Sequence, residues 1–485
     1  MVSKLKILAI YPHRNELRIF DDMPPLGLAW IAAVLRENNY ETRIIDQQVD
    51  DTDIGSLVEE MRPDLVLLSG TSHTRFQAFS LAEDIKNVYA PATVIYGGPH
   101  ASFTAEDTLT HIEDIDIVVH GEGEFPSLDL AAWKAAGGDT NELSAIKGIA
   151  YRQNGTIFST GWRPFMRELD TLPEPARDLL PMKKYRMDLE YLGLPAASII
   201  TARGCPVGCS YCSASKMFGL HYANRSPELV VDEIEGLVKN YGIQGIKIFD
   251  STFTINKNHV RAFCEELEKR DLVMPWECEV RVGSVDRQLL ERMKKAGCYY
   301  IDVGVESGDQ QVLNEMGKRI TVEKSEALLA LADELGIWAK VFFTIGHIGE
   351  TFDAGKKTLS FIKRNRKKIK LIGMNSSIRI YPGTRIEEYA RENDLMPQNF
   401  SWSLPYENQD NIKLFRPADD IPILLQPQLG INELRKLRIR YMLMRVLSFS
   451  YLTAKVKHLL RYRQGIAFIK MLFTSLLKCK RGKKK

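Results

Sequence analysis

The sequence predicts an α/β protein in three parts: a doubly wound, Rossmann-like sheet, a partial (β/α)6 TIM barrel, and a helical, basic C-terminal extension. Three observations predict it. Two series of short β-rich runs alternate with helical patterns, which is the mark of parallel sheets covered by helices. A proline-bearing stretch over 172–195 (Pro173, Pro175, Pro181, Pro195) separates the two series. Finally, residues 431–485 hold sixteen Lys or Arg against the single acid Glu433, a balance of +15 that leaves residues 1–430 at −12 within a chain of net +3. The 485 residues, 45% hydrophobic and 26% charged, have ordinary globular composition, which excludes disordered, collagen-like and mucin-like chains. At roughly 150 residues per domain the length suggests two or three domains.

The first series gives predicted strands at 5–11 (LKILAIY), 41–46 (ETRIID), 64–69 (PDLVLLS), 92–96 (ATVIY) and 115–120 (DIDIVVH), with helices between them. Such a sheet binds ligands beyond the carboxyl ends of its strands. There the chain places SGTSHT at 69–74, GGPHA at 97–101 and GEGEF at 121–125, so glycines and hydroxyl side chains gather where a ligand would lie. Carboxylates just before a helix starting near Pro126 are explained by the helix N-terminus, the preferred reading of Glu124, whereas Glu122 remains open to ligand contact. The second series gives strands at 197–202, 244–250, 277–282, 299–305, 338–345 and 372–380. Six βα units imply a barrel or partial barrel, with its chemistry at the carboxyl ends of the strands. The predicted division is 1–165, a connector at 166–195, the barrel at 196–385, and an extension at 386–485.

Seven cysteines, three of them within eight positions, are no disulfide framework and suit a reducing, cytoplasmic setting. The start, MVSKLKILAIYP, is too short an apolar run for a signal segment and reads as a strand. No run reaches the roughly 18 apolar residues of a spanning helix, because Lys470 splits the best candidate at 465–477. The tail mixes aliphatic and basic residues at helical spacing, the pattern of a membrane-surface helix; a helical cap over the barrel with a disordered lysine end accounts for it equally. Nucleic-acid binding is not expected, since the basic residues are interleaved with aliphatics rather than exposed aromatics.

The sharpest motif is GCPVGCSYC at 204–212, which sets Cys205, Cys209 and Cys212 at C-x3-C-x2-C spacing just after the first strand of the second series. Three thiolates on one loop can hold three irons, whereas iron–sulfur clusters usually take four cysteines. One iron is thereby left open to an exogenous ligand. A zinc site would show paired C-x2-C elements or a histidine nearby as fourth ligand, and neither follows. Cys264, Cys278 and Cys298 are scattered and read as buried thiols.

With this motif the chain resembles the radical S-adenosylmethionine (SAM) superfamily over about residues 196–385. The resemblance implies a [4Fe-4S] cluster on Cys205, Cys209 and Cys212 whose open iron chelates SAM, and reductive cleavage of SAM to a 5′-deoxyadenosyl radical. It places Tyr211 against the adenine, Glu306 and Ser307 of GVESG near the SAM ribose or methionyl group, and Gly346 and Gly349 of FTIGHIGET beside the adenine. Arg281 and Arg379, at strand ends, become candidate carboxylate partners. The second strand ends FDSTFT at 249–254, with Asp250 and Ser251 where many members have Gly-Gly-Glu. An acid and a small polar residue there resemble the branch with an N-terminal cobalamin-binding domain, and PPLGLAWIAAVL at 24–35 and GEGEFP at 121–126 look like that branch too.

By the same resemblance Ser69, Thr71, Gly97 and Gly98 would line the cobalamin nucleotide tail. The Asp-x-His-x-x-Gly motif of many cobalamin proteins is missing around His13, so base-off, His-off cobalamin is expected, with His73 and His100 as lesser candidates for a lower contact. The expected activity is C-methylation of an unactivated carbon of a natural product or lipid precursor. Alternatives are an oxidative cyclase or oxidoreductase without methyl transfer, such as the oxygen-independent ring-forming cyclases of chlorophyll synthesis, and a barrel with a non-binding N-terminal scaffold. Expected partners are a small-molecule or lipid substrate, a reducing partner such as flavodoxin or ferredoxin, and peripheral membrane contact through residues 431–485.

Overall fold

The computed structural model describes residues 5–13, 23–189, 191–417 and 419–446. The first series forms strands β1 (Lys6–Tyr11), β2 (Glu41–Asp46), β3 (Leu65–Ser69), β4 (Thr93–Gly97) and β5 (Ile117–Val119), with helices α1 (Leu26–Glu37), α2 (Ile54–Met61), α3 (Arg75–Val88), α4 (Ala101–His111) and α5 (Glu124–Ala135). The strands run parallel in the order β2-β1-β3-β4-β5. Successive side chains point to opposite faces of a strand, and two separate cores result. Ile7, Ala9, Leu65 and Leu67 pack under α1 and α5, whereas Leu8, Ile10, Val66 and Leu68 pack under α2, α3 and α4. The expected doubly wound sheet is present.

Two strands beyond the expectation extend it. β6 (Ile149–Gln153) and β7 (Thr156–Ser159) form an antiparallel hairpin on the β5 edge. Its two-residue turn is Asn154-Gly155, at φ of 50° and 78°, the pair that a tight primed turn demands. The connector is also more than a spacer. Its 3-10 turns bury Ala176 and Leu180 in the first core, and Met187 and Leu189 pack with Ala196.

The second series forms β8 (Ala196–Ile199), the two-residue β9 (Ala202–Arg203) and β10 (Ala223–Asn224), then β11 (Gly245–Ile248), β12 (Trp276–Val280), β13 (Cys298–Glu306), β14 (Trp338–Thr344) and β15 (Leu371–Asn375). Six of these run parallel in the open order β15-β14-β13-β12-β11-β8, a partial barrel. Around them lie α6 (Ala214–Met217), α7 (Pro227–Tyr241), α8 (Lys257–Lys269), α9 (Arg287–Lys295), α10 (Gln310–Glu315), α11 (Val322–Glu334) and α12 (Phe352–Asn365). The outward strand face (Ile246, Cys278, Val280, Ile301, Val303, Val341) joins the helices in one core. The last strand ends at Asn375 rather than 380, because Ser376 onward turns away to the C-terminal segment, where Arg379 bridges Ile423.

That segment carries α13 (Arg385–Glu392), α14 (Gln409–Lys413) and α15 (Ile431–Val446). Leu434, Leu437 and Tyr441 of α15 are buried in the barrel core, so the start of the basic tail is a packed helix. The rest of the tail, from 447, lies outside the described residues. No helix among the described residues is long and apolar enough to cross a membrane.

Candidate functional site

The carboxyl ends of the two sheets face each other. After β3, His73 Nε2 lies 3.1 Å from Tyr381 Oη, and the buried Arg75 donates to Trp402 O at 2.7 Å and pairs with Asp420 at 2.9 Å. After β5, Glu122 and Glu124 both take the guanidinium of Arg203 from β9, at 2.8 and 2.6 Å. Arg203 also lies 5.1 Å over the Trp30 ring, and Glu122 accepts Met166 N–H at 2.7 Å. Glu124 does open α5, as expected, yet its carboxylate and that of Glu122 are jointly committed to this junction. The cleft between the two sets of strand ends is the candidate site.

On the barrel side, the loop after β9 carries the three cysteines. Gly204 has φ of +85°, and a Cβ there would stand 2.3 Å from His221 O, so only glycine admits the turn. The loop is pinned by Ser210 N–H to Met316 O at 3.0 Å and by Ile386 N–H to Ser210 O at 3.3 Å. Cys205, Cys209 and Cys212 are half-buried. Burial pushes the Cys209 thiol up from its ordinary range; nearby Lys318 opposes the shift, and Cys212 and Cys205 add to it. The three thiols thus lie within electrostatic reach of one another. Among the described residues no three His, Cys, Asp or Glu side chains are gathered to hold a single ion.

Tyr211 and Glu306, two of the expected contacts, meet directly. Tyr211 Oη donates to Glu306 Oε1 at 3.1 Å. Lys318, which sequence reasoning missed, donates to both, at 3.0 Å to Tyr211 Oη and 3.1 Å to Glu306 Oε1. Glu306 sits at φ +65° where the β13–β14 register slips, a bulge that re-aims the side chain at a local strain cost. A Cβ on Gly304 would lie 2.7 Å from Glu306 Oε1 and 2.8 Å from Lys318 Nζ. Gly304 therefore makes room for the pair.

Ser307 is not brought to this group: it is buried, lies 3.1 Å from Thr358 Oγ1 and accepts Asp309 N–H at 3.1 Å. Arg281 clasps carbonyls instead of a carboxylate, donating to Lys318 O at 2.6 Å and Arg319 O at 3.2 Å. It thereby fixes the turn that presents Lys318. Asp250 is equally engaged, accepting Thr201 N–H, Thr201 Oγ1–H and Ala202 N–H at 2.7, 2.6 and 3.0 Å. Burial raises its carboxyl to about 6. Its role is to hold the β8–β9 corner that leads into the cysteine loop, while Ser251 is exposed.

The segment after β14 is held by Glu350, also missed. Its buried carboxylate accepts Gly346 N–H at 2.7 Å and His347 N–H at 3.1 Å, and burial raises it to about 7. Gln426 clamps the same loop, donating to His347 O at 2.8 Å and accepting Gly349 N–H at 2.9 Å. Gly346, at φ +101°, lets that backbone lie against Ile378.

On the other wall Ser69 and Gly97 are register partners, and Gly70 N–H donates to Gly97 O at 3.0 Å. Gly98 has φ of +98°, and a Cβ there would lie 2.8 Å from Gly70 O and 3.1 Å from Ser69 Oγ. Thr71 begins a turn closed by Thr74 Oγ1 at 3.0 Å. The four expected residues therefore form one small-residue floor. His100 is buried with Nδ1 3.0 Å from Ser72 Oγ, and burial holds its imidazole well below the ordinary range. His13 is exposed and donates its N–H to Gln47.

The chain matches the family model of the radical SAM superfamily over residues 199–362 and that of the B12 binding domain over 17–131. It is 34% identical over 377 residues, 77% of this chain and 80% of the relative, to an uncharacterized methyltransferase of Pyrococcus horikoshii. It is 30% identical over 364 residues to the anaerobic magnesium-protoporphyrin IX monomethyl ester cyclase of Cereibacter sphaeroides, covering 73% of this chain and 59% of that protein. Among solved structures, the radical SAM methyltransferase TsrM of Kitasatospora setae, with cobalamin and a [4Fe-4S] cluster bound, aligns at TM-score 0.67 and 20% identity over 90% of this chain and 82% of that one, a likeness of fold.

Proposed function

The chain belongs to the cobalamin-binding branch of the radical SAM superfamily and is an enzyme, and from that premise we propose that it C-methylates an unactivated carbon of a natural product or lipid precursor. The observation that carries this reading is the facing of two walls: the cysteine loop with its Tyr211–Glu306–Lys318 group, and the glycine floor of β3 and β4. Both walls fit their cofactors. Three half-buried cysteines on one loop, near enough to influence one another's thiols, suit a [4Fe-4S] cluster with an open iron. Gly98, where a Cβ would stand 2.8 Å from Gly70 O, lets the loops after β3 and β4 lie close together, and this small-residue floor with Gly97, Ser69 and Thr71 suits the nucleotide tail of cobalamin. When bound, the cluster and SAM supply a carbon-centred radical that abstracts hydrogen, and cobalamin supplies the methyl group.

The chain's own residues then bind and orient. Cys205, Cys209 and Cys212 would hold the cluster as thiolates; burial raises Cys209 and Cys212 as free thiols, so loading must expel their protons. Lys318 holds Glu306 and Tyr211 in place through its two hydrogen bonds, which would leave both as polar contacts for SAM. Glu350 and Gln426 hold the Gly346 backbone flat against the space an adenine would take. His100 meets Ser72 through Nδ1 and His73 faces Tyr381; base-off, His-off cobalamin stays a proposal that rests on the missing Asp-x-His-x-x-Gly motif. A one-electron donor such as flavodoxin or ferredoxin would serve the cluster. Because Leu434, Leu437 and Tyr441 bury the start of the tail in the barrel core, the proposal of peripheral membrane contact is confined to the tail beyond α15 and is tested by liposome sedimentation of a chain truncated at 450.

The test is anaerobic reconstitution with iron, sulfide and cobalamin, followed by SAM and reductant. 5′-Deoxyadenosine, S-adenosylhomocysteine and retained corrin together are expected. 5′-Deoxyadenosine and corrin without S-adenosylhomocysteine would instead favour cyclisation or oxidation, the activity named for the Cereibacter relative. Loss of corrin on anaerobic purification would make the first domain a scaffold.

A further inference from the structure

Three guanidinium groups meet where the last barrel strand ends. Ser376, directly after β15, accepts Arg438 Nη1–H from α15 at 2.7 Å and Arg416 Nη2–H at 3.3 Å. Arg379, three residues along, pairs with Asp419. Arg438 and Arg379 each keep a buried Nε–H without a partner. Against three cations, Asp419 is the one ion-paired carboxylate among the described residues, which leaves a balance of about +2. Such clustering is unfavourable in itself: burial and then the Arg438 and Arg379 charges push Arg416 down to about 10, and burial lowers Arg438 as well. The cluster lies by the cleft, because it directly follows β15 and Tyr381, two residues beyond Arg379, meets His73 from the facing sheet.

Among the described residues Arg416 and Arg438 have no carboxylate ion-pair partner, and an anion joining them would relieve the repulsion within the cluster. Arginine forks match tetrahedral and planar oxyanions with paired, charge-assisted hydrogen bonds. The balance of about +2 corresponds to a phosphoryl group, which carries about −1.5 to −2 at pH 7, better than to a monoanionic carboxylate. We propose that Arg416, Arg438 and Arg379 form the receptor for a phosphoryl or phosphonyl group on the substrate. This rests on the cleft being the substrate site and narrows the substrate to a phosphorylated class.

The test is calorimetric titration of the full-length reconstituted protein with inorganic phosphate, with acetate and chloride as controls at equal ionic strength. Saturable phosphate binding, weakened about tenfold or more in R416Q and in R438Q, is expected from losing a charge-assisted hydrogen bond; R416K should fall between. Phosphate no better than chloride overturns the proposal, and acetate equal to phosphate overturns the phosphoryl assignment. Repeating the titration with hydroxocobalamin and SAM present separates sources: a response abolished by either would assign the cluster to that cofactor's own anion and overturn the substrate reading. Without anion, R416Q should melt no lower than the unmodified chain, because repulsion is relieved; a lower melting temperature would mark Arg416 as a structural tie and overturn the proposal. Binding is read without turnover. Phosphate binding without 5′-deoxyadenosine therefore fails the radical reading alone, and SAM cleavage without phosphate binding fails this one alone.

Discussion

Glu350→Gln gives a quantitative test of how the loop after β14 is held. In the folded chain the Glu350 carboxyl is fully buried, accepts two backbone N–H groups, and is still raised from 4.5 to about 7, chiefly by burial, with Asp309 adding repulsion. The sign follows from proton counting. Between pH 4.5 and 7 the folded state keeps a proton that the unfolded chain has released, so stability falls as pH rises through that window and is flat above it. Holding the group at about 7 rather than 4.5 costs the ionised folded state about 3 kcal/mol. Glutamine keeps an oxygen for Gly346 and His347 and cannot ionise. The difference in unfolding free energy between E350Q and the unmodified chain, from urea titrations followed by circular dichroism, should therefore grow from about 1 kcal/mol at pH 5 to about 3 kcal/mol in favour of E350Q at pH 8. The neighbouring His347, which burial holds at about 4, is neutral throughout and cancels in the difference. Parallel pH curves for the two proteins would refute the reasoning.

Lys318→Met should cost about 3–5 kcal/mol, because it strands the Glu306 carboxylate in a pair whose side chains are only 10% and 9% exposed and an unpaired buried charge is expensive; E306Q in the same chain should recover most of that loss in thermal melts. Gly98→Ala drives a Cβ to 2.8 Å from Gly70 O, so corrin retained on gel filtration should drop sharply while cluster absorbance is unchanged; equal corrin would remove the floor from the binding site. Replacing Cys205, Cys209 and Cys212 together with Ala should abolish cluster absorbance and SAM cleavage, and cleavage that persists would sink the assignment of the triad. Arg203→Gln leaves Glu122 and Glu124 facing each other without their cation, and limited proteolysis should show faster cutting between the sheets; an unchanged digest would mean that the other ties suffice.

The legible part of the fold was its periodicity. Alternating apolar runs placed ten of the eleven expected parallel strands within about three residues at each end, and the last, at 372–380, was overrun because Ile378 and Ile380 continue the apolar pattern while packing against the C-terminal segment instead. The hairpin at 149–159 was missed although Asn154-Gly155 announced it. Local motifs were equally legible: the cysteine loop and the glycines after β3 and β4 stand where their spacing put them. What stayed hidden were pairings across long chain distances. Lys318 sits in an unremarkable Gly-Lys-Arg turn, 107 residues from the Tyr211 that it contacts, and nothing local distinguishes it from a surface lysine. Glu350 had a weak signal, an acid closing a Gly-x-x-Gly turn just before the helix cap Thr351, which the eye assigns to the helix. Ser307 and Arg281 show the converse: strand-end position is readable, side-chain direction is not.

Direction is also what makes the two sheets one site. Each sheet alone would present its strand ends to water, and neither carries enough groups to hold substrate and cofactors together. The ties between them are polar and lie at opposite ends of the cleft: Arg203 with Glu122 and Glu124 below the cysteine loop, and Arg75, His73 and Tyr381 beside the last barrel strand. Because Arg75 reaches both Trp402 O and Asp420, the C-terminal segment is the third wall rather than an appendage, and it delivers Arg416 next to Tyr381. Buried ion pairs of this kind add little net stability against apolar replacements but penalise every other arrangement of the charges. The junction therefore fixes the register of the two walls. On the proposed function a substrate reaching between them would meet a spacing set by arginine–carboxylate geometry, so substitutions at Arg203 or Arg75 should alter product yield even though neither side chain belongs to the proposed cofactor walls.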